Sequence, residues 1–119
     1  MNFADCAILF ADDDDETRAI LSRMLARRAK QVWVARDGKE ALEMFQKEPC
    51  DILITDVQMP NINGIELVRE VNKLRPGFPC LILSGYNEGE FSLDVPNVSW
   101  LVKPVNILQL QDLVEKLLA

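Results

Sequence analysis

Two neighbouring aspartates, Asp12 and Asp13, follow directly on the apolar run Ile8-Leu9-Phe10-Ala11. A third, Asp56, ends the run Ile52-Leu53-Ile54-Thr55; Ser84 ends Leu81-Ile82-Leu83, and Lys103 ends Trp100-Leu101-Val102. Carboxylates converging on one point suit a hard divalent cation with oxygen ligands, and Mg²⁺ takes few of them while keeping several waters. A hydroxyl and an ammonium facing such a centre are what phosphoryl transfer requires. The positive charges neutralise the transferring oxygens, and the hydroxyl donates a hydrogen bond to one of them. A carboxylate can itself be the nucleophile, giving an acyl phosphate. Taken singly, Ser84 reads as a strand-end cap and Lys103 as a surface lysine. Their joint placement after apolar runs is the signal.

Asp12 and Asp13 belong to a run of four aspartates, Asp12-Asp13-Asp14-Asp15. Crowded like charges cost stability, so the run calls for a cation or for contacts with a helix N-terminus. Asp14 and Asp15 suit the second role, at the start of the helix that follows. An EF-hand is excluded: its closing glutamate would fall on Arg23 and its turn glycine on Thr17.

The elements that must carry these residues alternate along the whole chain. Short apolar runs at Cys6 to Ala11, Val32 to Ala35, Ile52 to Thr55, Cys80 to Leu83 and Ser99 to Val102 read as buried strands. Between them, Asp15 to about Ala29 has Ile20, Leu21, Met24 and Leu25 at helical spacing. Asp37 caps a second helix, with Glu40 placed for a capping box and Ala41, Leu42 and Phe45 facing inward. Gly64 to about Leu74 is a third, striped by Ile65, Val68 and Val71 and stopped at Pro76-Gly77. Ile107 to Leu118 is the last, with Leu110, Leu113, Val114 and Leu117 on one side. Near-continuous apolar strands alternating with helices imply a parallel sheet covered on both faces, and right-handed crossovers make it a doubly wound (βα)5 sandwich. The stretch from Ser84 to Trp100 has two glycines, a proline and poor periodicity, so any fourth helix there is short or irregular.

A chain of 119 residues forms one domain, residues 1–119, with a real hydrophobic core. Its 49% apolar and 27% charged content is that of an ordinary globular protein. A net charge of −6 argues against direct nucleic-acid binding, which needs a basic face. The cluster Arg23, Arg27, Arg28 and Lys30 reads as the solvated side of the first helix. No apolar run approaches the roughly 20 residues of a membrane span, so no membrane insertion is expected. The N-terminus does not look like a secretory signal, and the cytoplasm is the expected location. With no histidine in the chain, a His-based triad, a histidine metal ligand and a phosphohistidine intermediate are all excluded. Cys6, Cys50 and Cys80 form no C-x-x-C pair and have no histidine to activate them, so no catalytic thiol is expected.

Over about residues 7 to 118 the chain resembles a two-component response-regulator receiver domain of the CheY-like superfamily. The resemblance rests on Ile8 to Asp14, on Asp56-Val57-Gln58-Met59-Pro60 followed by Gly64-Ile65-Glu66-Leu67, on Leu83-Ser84-Gly85-Tyr86 and on Leu101-Val102-Lys103-Pro104. It implies a flavodoxin-like sandwich that works as a phosphorylation-dependent switch, not as a turnover enzyme. Asp56 would be the phosphoacceptor and Asp13 a direct Mg²⁺ ligand. Asp12 would act through water on the metal, and Gln58 would contribute its backbone carbonyl. The run of four aspartates leaves the register of the acidic pair open by one residue; Arg18 and the phase of the helix favour Asp12 and Asp13. Ser84 and Lys103 would contact the phosphoryl oxygens, and the Lys103–Pro104 bond would be cis. Trp100 falls at the position of an aromatic ring that moves inward when the hydroxyl swings toward the phosphate, altering the surface beside the fourth and fifth strands. The implied partners are a sensor histidine kinase or histidine phosphotransfer protein and a downstream protein.

Three features depart from the family pattern. The Ser84 to Trp100 stretch is short and lacks an alanine-rich helix, Trp100 is bulkier than the usual Tyr or Phe, and Gln58 and Tyr86 occupy positions that tune dephosphorylation. Two other readings compete. Asp13-Asp14-Asp15-Glu16-Thr17 fits the nucleophile motif of a haloacid-dehalogenase-type phosphatase, with Asp13 attacking. That reading lacks the paired acids required after Lys103 and leaves Asp56-Val57-Gln58-Met59-Pro60 unexplained. A pseudo-receiver, a pure interaction module, is disfavoured because every chemical position is filled. The sequence does not decide between a stand-alone receiver and a module of a longer regulator or hybrid kinase. Its output is expected through protein contact or a segment outside these residues.

Overall fold

The computed structural model describes residues 1–85 and 93–119. After a short 3₁₀ turn at Phe3–Asp5 come β1 (Ala7–Ala11), α1 (Asp15–Ala26), β2 (Gln31–Ala35), α2 (Gly38–Lys47), β3 (Ile52–Asp56), α3 (Gly64–Leu74), β4 (Cys80–Ser84), β5 (Val98–Val102) and α4 (Ile107–Leu117). The five strands form one parallel sheet in the order β2-β1-β3-β4-β5. This is the doubly wound sandwich read from the alternation of elements. The expected short fourth helix and Tyr86 fall on residues 86–92, outside the described residues.

Strand side chains alternate between two apolar layers. Leu9, Ala11, Leu53 and Ile82 pack with Ala41, Phe45, Ile65, Val68 and Val71 of α2 and α3. Ile8, Phe10, Ile52, Ile54, Leu81 and Leu83 pack with Leu21 and Leu25 of α1 and with Leu110 and Val114 of α4. Both faces of the central strands are therefore dry, which is why their sequences are continuously apolar rather than alternating. Each layer removes several large side chains from water at about 1.5–3 kcal/mol apiece, the main favourable contribution to folding.

One expected inner residue lies outside. Ile20 is 54% exposed, because α1 buries a narrow stripe centred on Leu21 and Leu25 and Ile20 falls to one side of it. The helix caps also differ in one respect. Asp37 caps α2 by accepting from the Glu40 N–H at 2.8 Å. The Glu40 carboxylate turns instead to Arg36, accepting from its backbone N–H and guanidinium, so no reciprocal box forms there. The complete capping box lies at α3: Asn63 accepts from the Glu66 N–H and the Glu66 carboxylate accepts from the Asn63 N–H.

Backbone from the end of β3 and from the loop after it approaches the helices closely at two glycines. A Cβ on Gly38 would lie 2.1 Å from the carbonyl oxygen of Ile62, and one on Gly64 at the same distance from the carbonyl oxygen of Asp56. Both obstacles are backbone, which cannot turn aside as a flexible side chain would. In the same connection Asn61 has φ 69°, a left-handed conformation that asparagine tolerates better than most residues. The loop after β3 is thus wedged between the first turns of α2 and α3. Gly38→Ala should therefore destabilise the fold by roughly 1–3 kcal/mol despite alanine's better helix propensity. A urea midpoint equal to or above wild type would refute the wedge.

Candidate functional site

The carboxyl ends of β1 and β3 meet where the strand order reverses, with β2 on one side of β1 and β3 on the other. Open α/β sheets leave a crevice at such a point. Asp12 extends β1, its N–H donating to the Ala35 carbonyl at 3.2 Å, and it is fully buried. Its Oδ1 accepts from the Asp14 N–H at 2.9 Å. Its Oδ2 is buried with no hydrogen-bond partner among the described residues. One carboxylate oxygen each of Asp12, Asp13 and Asp56 lie within 4.8 Å of one another, with Asp13 exposed and Asp56 half-buried.

The four consecutive aspartates therefore divide by direction. Asp12 and Asp13 face Asp56. Asp14 caps α1, accepting from the Thr17 N–H at 2.8 Å. Asp15 pairs with Arg18, and its side chain is 91% exposed. Arg18 also donates to the Asp12 carbonyl at 3.0 Å, fixing the turn out of β1. The phosphatase motif beginning at Asp13 would need its second acid, Asp15, turned toward the same centre. Asp15 points away, to α1's solvent side.

Lys103 supplies the opposing charge. Its Nζ lies 3.1 Å from Asp56 Oδ1, an oxygen that also accepts from the Val57 N–H at 2.9 Å. The lysine backbone N–H donates to the Ser84 carbonyl at 2.8 Å, so hydroxyl and ammonium are carried on adjoining strand ends. The Lys103–Pro104 peptide is cis, as expected. Asp56, Val57, Gln58, Ser84, Gly85 and Lys103 line a cleft of about 350 Å³, and Gln58 also lines the adjoining hollow beside Asp13. Trp100 sits one strand away on β5, opposite Ile82 and packed on the α2–α3 layer.

The electrostatics follow from this crowding. Burial first, and the charges of Asp56 and Asp13 after it, hold the Asp12 carboxyl above the usual carboxylate range. The Asp14 N–H and Lys103 oppose that rise. Asp14 itself is pushed down by its hydrogen bonds from Thr17. A buried, incompletely satisfied carboxylate beside two others is chemically suited to a small hard dication. The thiols are a contrast. Cys6, Cys50 and Cys80 are all free and buried, and desolvation raises them to about 11, about 11 and about 12, too high for nucleophiles at neutral pH.

Three site features went unread in the sequence: the Val57 amide on Asp56, the Gly64 notch against the Asp56 carbonyl, and the buried Thr55 hydroxyl. Only the last left a trace, as a polar residue within an apolar strand.

A doubly wound domain with an acidic cluster and a lysine at its strand-order reversal defines a class, and the comparisons with known proteins give it a family. The response regulator receiver domain model matches residues 8–115. The chain is 32% identical to the response regulator receiver protein CpdR of Brucella abortus, covering 93% of this chain and 95% of CpdR. It is also 32% identical to the transcriptional regulatory protein ZraR of Escherichia coli over 94% of this chain, but spans only 26% of ZraR's length. Among solved structures, the chemotaxis protein CheY4 of Vibrio cholerae superposes with a TM-score of 0.82 at 31% identity, covering 96% of this chain and 99% of that one. The chain belongs to the response-regulator receiver domain family of two-component systems. Accepting a phosphoryl group as a signalling switch is the family's general function, and receiver domains are generally not turnover enzymes.

The buried charge of Asp12 has a consequence for stability. Its folded pKa lies above the ordinary 3.8, so the native state binds its proton more tightly and loses stability as pH rises between the unfolded and folded values. In chelated buffer, Asp12→Asn should therefore melt at a higher temperature than wild type at neutral pH. The gain should vanish at acid pH, where Asp12 is protonated. Thermal melts across pH test this; a variant less stable at neutral pH would contradict it.

Proposed function

We propose that Asp56 accepts a phosphoryl group, in the presence of Mg²⁺, from the phosphohistidine of a sensor histidine kinase or a histidine phosphotransfer protein. The resulting acyl phosphate would change the surface beside β4 and β5 for a downstream protein partner. The observation that carries this reading is the pairing of Asp56 with Lys103 at 3.1 Å beside the Asp12–Asp13 pair. A nucleophilic carboxylate has a fixed cation on one side and a concentrated anionic pocket on the other.

Asp12, Asp13, Asp56 and the backbone carbonyl of Gln58 would hold the metal, and Asp12 Oδ2, without a partner among the described residues, fits that use. Mg²⁺ held there would supply charge neutralisation for the phosphoryl oxygens and offset the mutual repulsion of the carboxylates. A carboxylate oxygen of Asp56 attacks phosphorus; a P–O bond forms as the P–N bond to the donor imidazole breaks, and the imidazole keeps that electron pair. The Lys103 ammonium stabilises charge on the transferring oxygens. Ser84, at the adjoining strand end, donates its hydroxyl to one of them. This local change in charge is the event that Trp100 would report and a partner would read. Three free thiols accord with a reducing compartment such as the cytoplasm.

Mass spectrometry after incubation with acetyl phosphate and Mg²⁺ tests the acceptor. Wild type should gain one phosphoryl mass and Asp56→Asn none; no gain in wild type, or equal labelling of the variant, would sink the assignment. Tryptophan fluorescence tests the switch. Because Trp33 is the other tryptophan, a Trp33→Phe background isolates Trp100. Beryllofluoride with Mg²⁺ should change its emission, and an unchanged spectrum would exclude ring movement.

A further inference from the structure

Thr55 is fully buried on the face of β3 whose neighbouring positions, Leu53 and Val57, belong to the apolar α2–α3 layer. Packing alone would be served as well by valine, which has the same shape and comparable strand preference. A buried hydroxyl costs free energy unless it is hydrogen-bonded. Here it is used: Thr55 Oγ1 donates to the carbonyl oxygen of Asp56 at 2.9 Å and lies 3.9 Å from Met59 Sδ.

The other side of that carbonyl faces the Gly64 notch, where a Cβ would approach it to 2.1 Å. The Asp56 carbonyl is thus gripped between a hydroxyl and the first turn of α3. It shares one planar peptide group with the Val57 N–H. That N–H donates to Asp56 Oδ1 at 2.9 Å, the oxygen that Lys103 Nζ meets at 3.1 Å. Tilting the peptide would swing the N–H off the carboxylate and release it from its place between Val57 and Lys103.

We infer that Thr55 is a positioning residue: through the 56–57 peptide, its hydroxyl sets the orientation in which the Asp56 carboxylate meets Lys103 and an incoming phosphorus. The inference rests on the reading of Asp56 as acceptor for its consequence in rate, but not for its geometry. The residue acts through Asp56 and does not itself reach the cleft.

The test compares Thr55→Val, which keeps shape and removes the hydroxyl, with Thr55→Ser, which keeps the hydroxyl. Two readouts are followed: exchange of the Val57 amide in ¹⁵N-labelled protein without metal, and the rate of Asp56 phosphorylation by acetyl phosphate with Mg²⁺. Losing a hydrogen bond of ordinary net strength should speed Val57 exchange and slow phosphorylation by about three- to tenfold each in Thr55→Val. Thr55→Ser should lie within about twofold of wild type in both readouts. Unchanged Val57 exchange in Thr55→Val, or an equal defect in Thr55→Ser, would overturn the inference. If wild type takes up no phosphoryl group, the acceptor assignment fails by itself, while the Val57 exchange still decides whether Thr55 holds the peptide.

Discussion

Asp12, Asp13 and Asp56 repel one another across less than 5 Å, and Asp12 does so from a position without access to water. Left alone, such a cluster would push the ends of β1 and β3 apart or keep a proton at neutral pH. The groups around it act against that tendency. Lys103 arrives from β5 against Asp56, the Asp14 N–H meets Asp12 Oδ1, and the Val57 N–H meets Asp56 Oδ1. Arg18 holds the Asp12 backbone from outside. The Asp12 carboxyl nonetheless stays above its ordinary range, by burial first and by the neighbouring charges after it. On the proposed reading, a dication would offset what remains of that repulsion.

Holding three anions at one point is possible because the sheet beneath them is dry and doubly covered. Asp51 anchors the start of β3 to β1, its backbone N–H donating to the Ala7 carbonyl and its carboxylate accepting from the Ala7 N–H. The strands then run in register to the acidic end, with Ala11 beside Thr55 one residue short of Asp12 and Asp56. The loop beyond β3 is wedged by Gly38 and Gly64 and closed by the Asn63–Glu66 box. Stability stored in these apolar layers, far from the charges, offsets the repulsion at the edge.

Much of this was legible in the residues. Apolar runs marked all five strands, and polar residues at their ends marked the site, because both signals are local in sequence. The bounds of α3 could be read at both ends, from the glycine start and the Pro76-Gly77 stop. Ile20 misled because apolar spacing fixes a helix and not the width of its buried stripe; only the neighbouring elements do that. Glu40 misled because Arg36, one residue before the cap, outcompetes the Asp37 N–H for its carboxylate. The division of labour among the four aspartates was legible as to Asp14, which caps, but the pairing of Asp15 with Arg18 is what turns Asp15 out of the cluster. The grip on the Asp56 carbonyl could not be read at all, since it joins β3 to α3 through a loop whose path only the fold determines.

The same geometry bears on how a charge change at Asp56 would travel. Side chains alternate along a strand, so Cys80, Ile82 and Ser84 share one face of β4, the face of the α2–α3 layer. Trp100 lies opposite Ile82 and Val102 opposite Ser84 on β5, on that same face. A Ser84 hydroxyl drawn toward a phosphorylated Asp56 would therefore vacate space on the side where Trp100 packs, one diagonal step away, and not across the sheet. Lys103 is bound to the Ser84 carbonyl through its own N–H, so the backbones that carry ammonium and hydroxyl are joined as one unit. Val102, 45% exposed on the outer strand, lies between that unit and Trp100. On the proposed mechanism the signal meets an exposed residue, Val102, directly opposite Ser84, a path short enough that strand register alone couples the site to the outside.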